Sequence, residues 1–198
     1  MPHVVGRESL DKCDACALAI DGKAGRPVFG WTDADPASVR VAFVMEAPGR
    51  QEHRLGRPAI GQSGRFFDAC LKTSGLSRES VFVTNSVVCH PPQNRDPTAS
   101  EMICCGGRLE AELRALPNLH VIVPVGAQAV NAITGVATGI TKSLYRIRWS
   151  KKYACHVVPM YHPAFILRQP ALYPDLEHSL SQVKWLLINH SNHLRMRK

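Results

Sequence analysis

Four short apolar runs, each rich in β-branched residues and alternating with helical patterns, constrain this chain more than any other feature. They cover residues 39–45, 81–84, 119–125 and 154–160. A continuous apolar run of this length marks a strand covered on both faces. Between the runs the spacing changes to that of helices. Residues 63–74 place Phe66, Phe67, Cys70 and Leu71 on one face, and residues 100–116 follow a cap at Thr98 or Ser100. A third helix follows Gly126, and a last one covers residues 175–190. Such alternation predicts an α/β fold, a three-layer α/β/α sandwich around a central, mostly parallel four-stranded sheet. The expected organisation is one domain over residues 1–198.

Parallel sheets gather ligands beyond the carboxyl ends of their strands. In this chain those ends carry Glu46-Ala47-Pro48-Gly49, Asn85, Gly126 and His162-Pro163. A carboxylate at a strand end beside a Pro-Gly turn is held rigidly and can face a pocket, although a solvated turn Glu has the same local sequence. Asn85 offers one acceptor and two donors, enough to read the edge of a nucleobase, or simply to cap a turn. His162 can donate to a developing oxyanion, or pack as a turn residue before Pro163. Leu167 and Arg168 make an apolar-plus-cationic tip suited to entering a base stack. Glycines around Gly61 allow close backbone approach to a ligand.

The formal net charge is +8, which suits a polyanionic partner such as DNA, or reflects a generally basic surface. No apolar run approaches the roughly 18 to 20 residues that span a bilayer, so no membrane partner is expected. The first ten residues lack the apolar core of a secretion signal. Cysteines number 7, an odd count in a chain too long for a small disulfide scaffold, so a cytoplasmic setting is expected. A monomer is the expected state.

Four of those cysteines are spaced as candidate ligands. Cys13 and Cys16 form a C-x-x-C, Cys89 closes the apolar stretch after Asn85, and Cys105 lies on the next helix. Folding would bring the singles to the pair. Thiolates at such spacing serve either zinc or an iron–sulfur cluster, and the cysteines by themselves leave both open. Cys70 and Cys155 read as small buried apolar groups.

Taken in chain order, several segments resemble the uracil-DNA glycosylase superfamily, most closely its iron–sulfur family-four branch. They are Met45-Glu46-Ala47-Pro48-Gly49, Gly56-Arg57-Pro58-Ala59-Ile60-Gly61, Thr84-Asn85, Cys89-His90-Pro91-Pro92-Gln93-Asn94-Arg95, and His162-Pro163 through Leu167-Arg168. The resemblance runs from Cys13 to Arg168. It implies a [4Fe–4S] cluster on Cys13, Cys16, Cys89 and Cys105, with the register from Glu101 selecting Cys105 over Cys104. It implies catalytic roles for Glu46, His162 and Asn85: placing water or supporting the sugar cation, stabilising the base oxygen, and reading the base edge. Ala47, Pro48, Gly49, Ala59 and Asn85 would form the base pocket, and Gly61, Ser63, Leu167 and Arg168 would meet DNA. No lysine is required as a Schiff-base nucleophile, so a hydrolytic, monofunctional enzyme that flips out its base is expected.

The chain departs from that family at one telling place. Ala59 stands where the family has the Phe that stacks on the flipped base, a contact worth about 1 to 3 kcal/mol. Phe43, Phe66 or Tyr161 are candidates to replace it. Met45 replaces a Gly, and His53 stands at a usually acidic position. A widened pocket predicts an enlarged, modified pyrimidine as the excised base, such as glucosylated 5-hydroxymethylcytosine of bacteriophage DNA, and hence antiviral defence. Ordinary uracil repair is the alternative. Two readings of other classes are a non-catalytic DNA-binding homologue and a zinc-stapled nucleotide-binding module.

Overall fold

A computed structural model describes residues 3–4, 16–20 and 27–195. The strands are β1 (His3–Val4), β2 (Trp31–Thr32), β3 (Val41–Met45), β4 (Phe82–Asn85), β5 (Val121–Pro124), β6 (Arg148–Ser150) and β7 (Cys155–Val157). They form one seven-stranded sheet in the order β1-β2-β4-β3-β5-β7-β6. The four strands expected from the sequence, β4, β3, β5 and β7, are mutually parallel and central. The sheet is wider than those four because β1, β2 and β6 add antiparallel edges of two or three residues. Runs that short have too few residues to show a period of two.

The helices are α1 (Ala17–Ile20), α2 (Arg50–Leu55), α3 (Gln62–Thr73), α4 (Ala99–Arg114), α5 (Ala127–Thr134), α6 (Ile140–Ser143), α7 (Pro163–Arg168) and α8 (Tyr173–Arg195). Every residue of β3 is buried, and its side chains alternate between two cores. Val41, Phe43 and Met45 join Phe67 and Leu71 of α3, Ile166 of α7, and Leu176, Leu180 and Val183 of α8. Ala42 and Val44 face the other way, towards Leu109 and Leu113 of α4 and Ala129 and Ile133 of α5. The sheet is thus sandwiched between helices on both faces. Cys70 and Cys155 are buried in these cores, and burial pushes their thiols up to about 11 and about 12. Among the described residues no helix is long and apolar enough to cross a membrane.

Two local details place the site. Thr98 starts α4 with a capping box: its hydroxyl accepts from the Glu101 amide, and the Glu101 carboxylate accepts from the Thr98 amide. The same carboxylate takes two bonds from Arg95, at 2.9 and 2.6 Å, which hold it down to about 2 and pin the loop leading into α4. Lining the same cavity as the loop into α4, His162 caps α7 ahead of Pro163.

Candidate active site

A cavity of about 590 Å³ opens at the carboxyl ends of β3, β4, β5 and β7. Glu46, Asn85 and His162, distant in sequence, share its wall with Ala47, Pro48, Gly49 and Ala59. The parallel strands deliver each of them from a different crossover.

Glu46 follows β3 and lies against the start of α5. Its Oε1 accepts a long 3.3 Å bond from the Gln128 amide. Gly126 makes that approach possible: its φ is 93°, and a Cβ there would stand 2.3 Å from Glu46 Oε1. Burial raises the Glu46 carboxyl above its ordinary 4.5, and the nearby Asp96 adds to the rise. Amides of the α5 start and the charge of Arg168 oppose it without cancelling it.

His162 is a helix cap and a cavity wall at once. Its Nδ1 accepts the Ala164 N–H at 3.1 Å, so the ring proton resides on Nε2. Withdrawal from water, then the positive Arg168, lower its pKa to about 4, against a weaker pull from Glu52. The ring is therefore neutral at pH 7 and carries a single N–H donor. A neutral imidazole of this kind can bond to an oxygen that gains charge during reaction without first losing a proton.

Asn85 ends β4 and is 2% exposed. Its Nδ2 is buried with no hydrogen-bond partner among the described residues. A buried N–H₂ left unmatched costs roughly 1 to 3 kcal/mol, which an acceptor on a bound base would recover.

Ala59 sits on a loop fixed from several sides. Its φ is 52°, a left-handed conformation for a residue with a side chain. Gly64 accommodates it, since a Cβ on Gly64 would meet the Ala59 carbonyl oxygen at 2.1 Å. The buried Glu52 accepts the amides of Ile60 and Gly61 at 3.0 and 2.7 Å. Arg78 donates to the Pro58 carbonyl at 3.0 Å, and Arg57 pairs with Asp33 at 2.9 Å while lying 4.8 Å above the Trp31 ring. Of the rings considered as replacements for the stacking Phe, Phe43 is spent in the core against Phe67 and Phe66 pairs with Tyr173. Tyr161 does line the cavity, as does Phe165, with their centroids 5.3 Å apart.

Among the residues expected to meet DNA, Ser63 and Arg168 line the cavity, Leu167 is 40% exposed on α7, and Gly61 caps α3. Met45 also lines the cavity. His53 stacks on His90, whose Nδ1 lies 2.8 Å from the Pro48 carbonyl oxygen, so this pair braces the Pro48-Gly49 turn.

The sequence names Gly126 as a strand end without a role, and points to no role for Glu52, Asp96, Phe165 or the pair Arg108–Glu112, which joins at 2.7 Å behind β4. Gly126 stood at a named strand end, and that was its available signal. The others act through distances that no spacing encodes.

Cys16, Cys89 and Cys105 meet in one small cluster with Leu18, Phe29, Val87 and Val88. Cys105 is buried while its neighbour Cys104 is exposed. Cys13 lies outside the described residues. Among the described residues no group of three or more His, Cys, Asp or Glu side chains is arranged to hold a metal ion.

The family model of the Uracil DNA glycosylase superfamily matches residues 32–184. The chain is 38% identical over 165 residues to a Type-4 uracil-DNA glycosylase of Thermotoga maritima, covering 81% of each. It is 37% identical to the Type-4 uracil-DNA glycosylase of Archaeoglobus fulgidus, over 72% of this chain and 74% of that one. A Type-5 uracil-DNA glycosylase of Thermus thermophilus is 32% identical over 69% of this chain and 68% of its own. The match spans β2 to α8 and includes the turns that bear Glu46, Asn85 and His162. This chain therefore belongs to the uracil DNA glycosylase superfamily, on its type-4 branch.

Proposed function

We propose that this protein is a monofunctional DNA glycosylase that draws a pyrimidine out of DNA and hydrolyses its N-glycosidic bond, leaving an abasic site. The convergence of Glu46, Asn85 and His162 on one cavity carries the reading. In the reaction the glycosidic bond breaks and its electron pair leaves with the base. Positive charge develops on the sugar and negative charge on the base oxygen. His162 donates its Nε2–H to that oxygen. Asn85 supplies the unmatched amide to the Watson–Crick edge. Glu46, ionised, faces the sugar and orients water; the water's hydroxyl joins the anomeric carbon, and its proton is released. Leu167 and Arg168, at the exposed end of α7, enter the space that the base vacates.

The preferred base is a pyrimidine enlarged at its 5-position, for which glucosylated 5-hydroxymethylcytosine of phage DNA is the test case. Ala59 supports this, because the cavity wall there lacks the bulk of a stacking Phe and the loop is too well anchored to fold inward. Such an activity would serve antiviral defence. Plain uracil is the second reading, favoured by the names of the relatives and by Tyr161 and Phe165, which offer other ring faces.

Cys13, Cys16, Cys89 and Cys105 would hold a [4Fe–4S] cluster. The shared, largely buried surroundings of the three described cysteines support the fit, as does the exposure of Cys104. Bound thiolates would cross-link the N-terminal segment to β4 and α4 and leave the reaction to the cavity. A cytoplasmic, monomeric protein agrees with this use of thiols.

The experiment is to offer purified protein uracil-containing DNA and glucosylated phage DNA in parallel and to count abasic sites. Release from glucosylated DNA supports the enlarged base. Robust uracil release with none from glucosylated DNA replaces that reading by uracil repair, and no release from either removes the enzyme. Ala59→Phe should shift preference towards the smaller base by about 1 to 3 kcal/mol. An unchanged preference would refute the pocket argument.

A further inference from the structure

Behind Asn85, on the side away from the cavity, lies a buried ion pair that the base chemistry does not touch. Arg108 and Glu112 stand one turn apart on α4, with side chains 5% and 0% exposed. Arg108 Nη1 donates to Glu112 Oε2 at 2.7 Å and to the Thr84 hydroxyl at 3.1 Å. Its Nη2 donates to the backbone carbonyls of Asn85 and Ser86, at 2.8 and 2.9 Å. Glu112 in turn accepts from the Thr84 hydroxyl at 2.6 Å and from the Gly30 amide at 3.1 Å. A guanidinium is planar and forked, so it can bridge two carbonyls, a hydroxyl and a carboxylate from one position; an ammonium cannot.

The bridge reaches further than Asn85. Ser86 donates from its amide and its hydroxyl to the Met45 carbonyl, at 2.8 and 3.1 Å. Val87 donates to the Glu46 carbonyl at 3.3 Å. Holding Ser86 therefore holds the turn that bears Glu46. Removing two charges from water is costly, and apolar residues of similar volume commonly stabilise as well or better. Stability alone thus gives weak grounds for an ion pair here, whereas fixing two strand ends against each other requires its directed bonds.

We infer that Arg108, braced by Glu112 and Thr84, is a positioning residue that clamps the Asn85 and Glu46 turns in the register needed for base release. This rests on the roles proposed above for Asn85 and Glu46. Arg108 is also one turn beyond Cys105, and Asn85 is four residues before Cys89. The clamp therefore spans the two elements that carry those cysteines, and α4 links them to the base-reading amide.

Two measurements test the clamp. In the first, backbone hydrogen exchange is compared in wild type, Arg108→Lys and the milder Thr84→Val. Exchange at the amides of Ser86 and Val87 should accelerate about tenfold in Arg108→Lys and less in Thr84→Val, while β5 amides stay unchanged. Unchanged exchange at both amides in both variants, or uniform acceleration across the sheet, overturns the clamp.

The second measures single-turnover base release from whichever of uracil-containing or glucosylated DNA the wild type cleaves. Arg108→Lys should lower the rate about 10²-fold with DNA affinity nearly unchanged, and Thr84→Val by a smaller factor. In an Asn85→Ala background the share of each loss that acts through Asn85 should vanish, and the share that acts through Glu46 should remain. Losses that multiply in full overturn the inference. If Asn85→Ala and Glu46→Gln leave release unchanged, the site assignment fails instead, and the exchange experiment still judges the clamp.

Discussion

The two sides of the β4 end differ in how their polar groups are used. Behind it, both terminal nitrogens of Arg108 and both oxygens of Glu112 are bonded to protein. On the cavity side, Asn85 Nδ2 has no partner, His162 commits one ring nitrogen and keeps an N–H, and Glu46 receives a long bond from Gln128. The contrast extends to the two carboxylates of the cavity wall. Glu52 accepts two loop amides through one oxygen, while the Glu46 carboxyl is pushed up by burial. The Arg108–Glu112 pair is committed to the frame, while the cavity wall keeps an Asn85 amide without a partner among the described residues.

The largest break in that contrast comes from removing a cavity-side group. His162→Ala, Asn85→Ala and Glu46→Gln should each slow base release by about 10² to 10³-fold in single-turnover assays, with DNA binding nearly unchanged. Gly126→Ala leaves every reacting group in place and should still lose about 10²-fold. A Cβ at φ 93° and 2.3 Å from Oε1 must displace the Glu46 carboxylate. A rate equal to wild type would show that Glu46 need not lie where it does.

Proton occupancy sharpens the contrast further. Base release should fall on the acid side with a midpoint above 4.5, where Glu46 takes up its proton, and Glu46→Gln should abolish that limb. Stability responds in opposite senses at the two groups. The folded Glu46 holds its proton to higher pH than the unfolded chain, so stability declines as pH rises from 4.5 through its raised pKa, and Glu46→Gln should be the more stable protein at pH 7. His162 titrates near 4 when folded against 6.5 when unfolded, so between those values the unfolded chain binds the extra proton. Stability therefore declines as pH falls through that window, and His162→Ala should flatten the slope of a thermal unfolding series. The smallest effect lies in the frame. Thr98→Ala removes the α4 cap and should cost about 1 kcal/mol in denaturant unfolding, with base release unaltered.

The parallel core was legible because its strands are buried on both faces and rich in apolar residues, most fully in β3. The N-cap at Thr98 was legible as one of two hydroxyls three or fewer residues from Glu101, and the bond to the Glu101 amide decides between them. The edge strands were not legible, since Trp31–Thr32 pairs through register with β4 rather than through its own pattern. At the site, Glu46, Asn85 and His162 were found because each ends a strand and each lies in a segment resembling a known family. Arg108 and Glu112 stand one turn apart on a helix, a spacing that exposed pairs share. What distinguishes them is the burial of the whole side of α4 against Thr84 and Ser86, a tertiary fact. Of the two rings that line the cavity, Tyr161 was a candidate from the sequence, whereas Phe165 is hidden among the apolar residues after His162.

One nitrogen of His162 starts the helix that ends in Leu167 and Arg168, while the other keeps its N–H. The ring that lines the cavity thus also fixes the first turn of the helix whose far end exposes Leu167 and Arg168. In the proposed reaction, extraction of a nucleotide and cleavage of its bond would be geared together by this one side chain, so a base that resists extraction would also meet a misaligned donor.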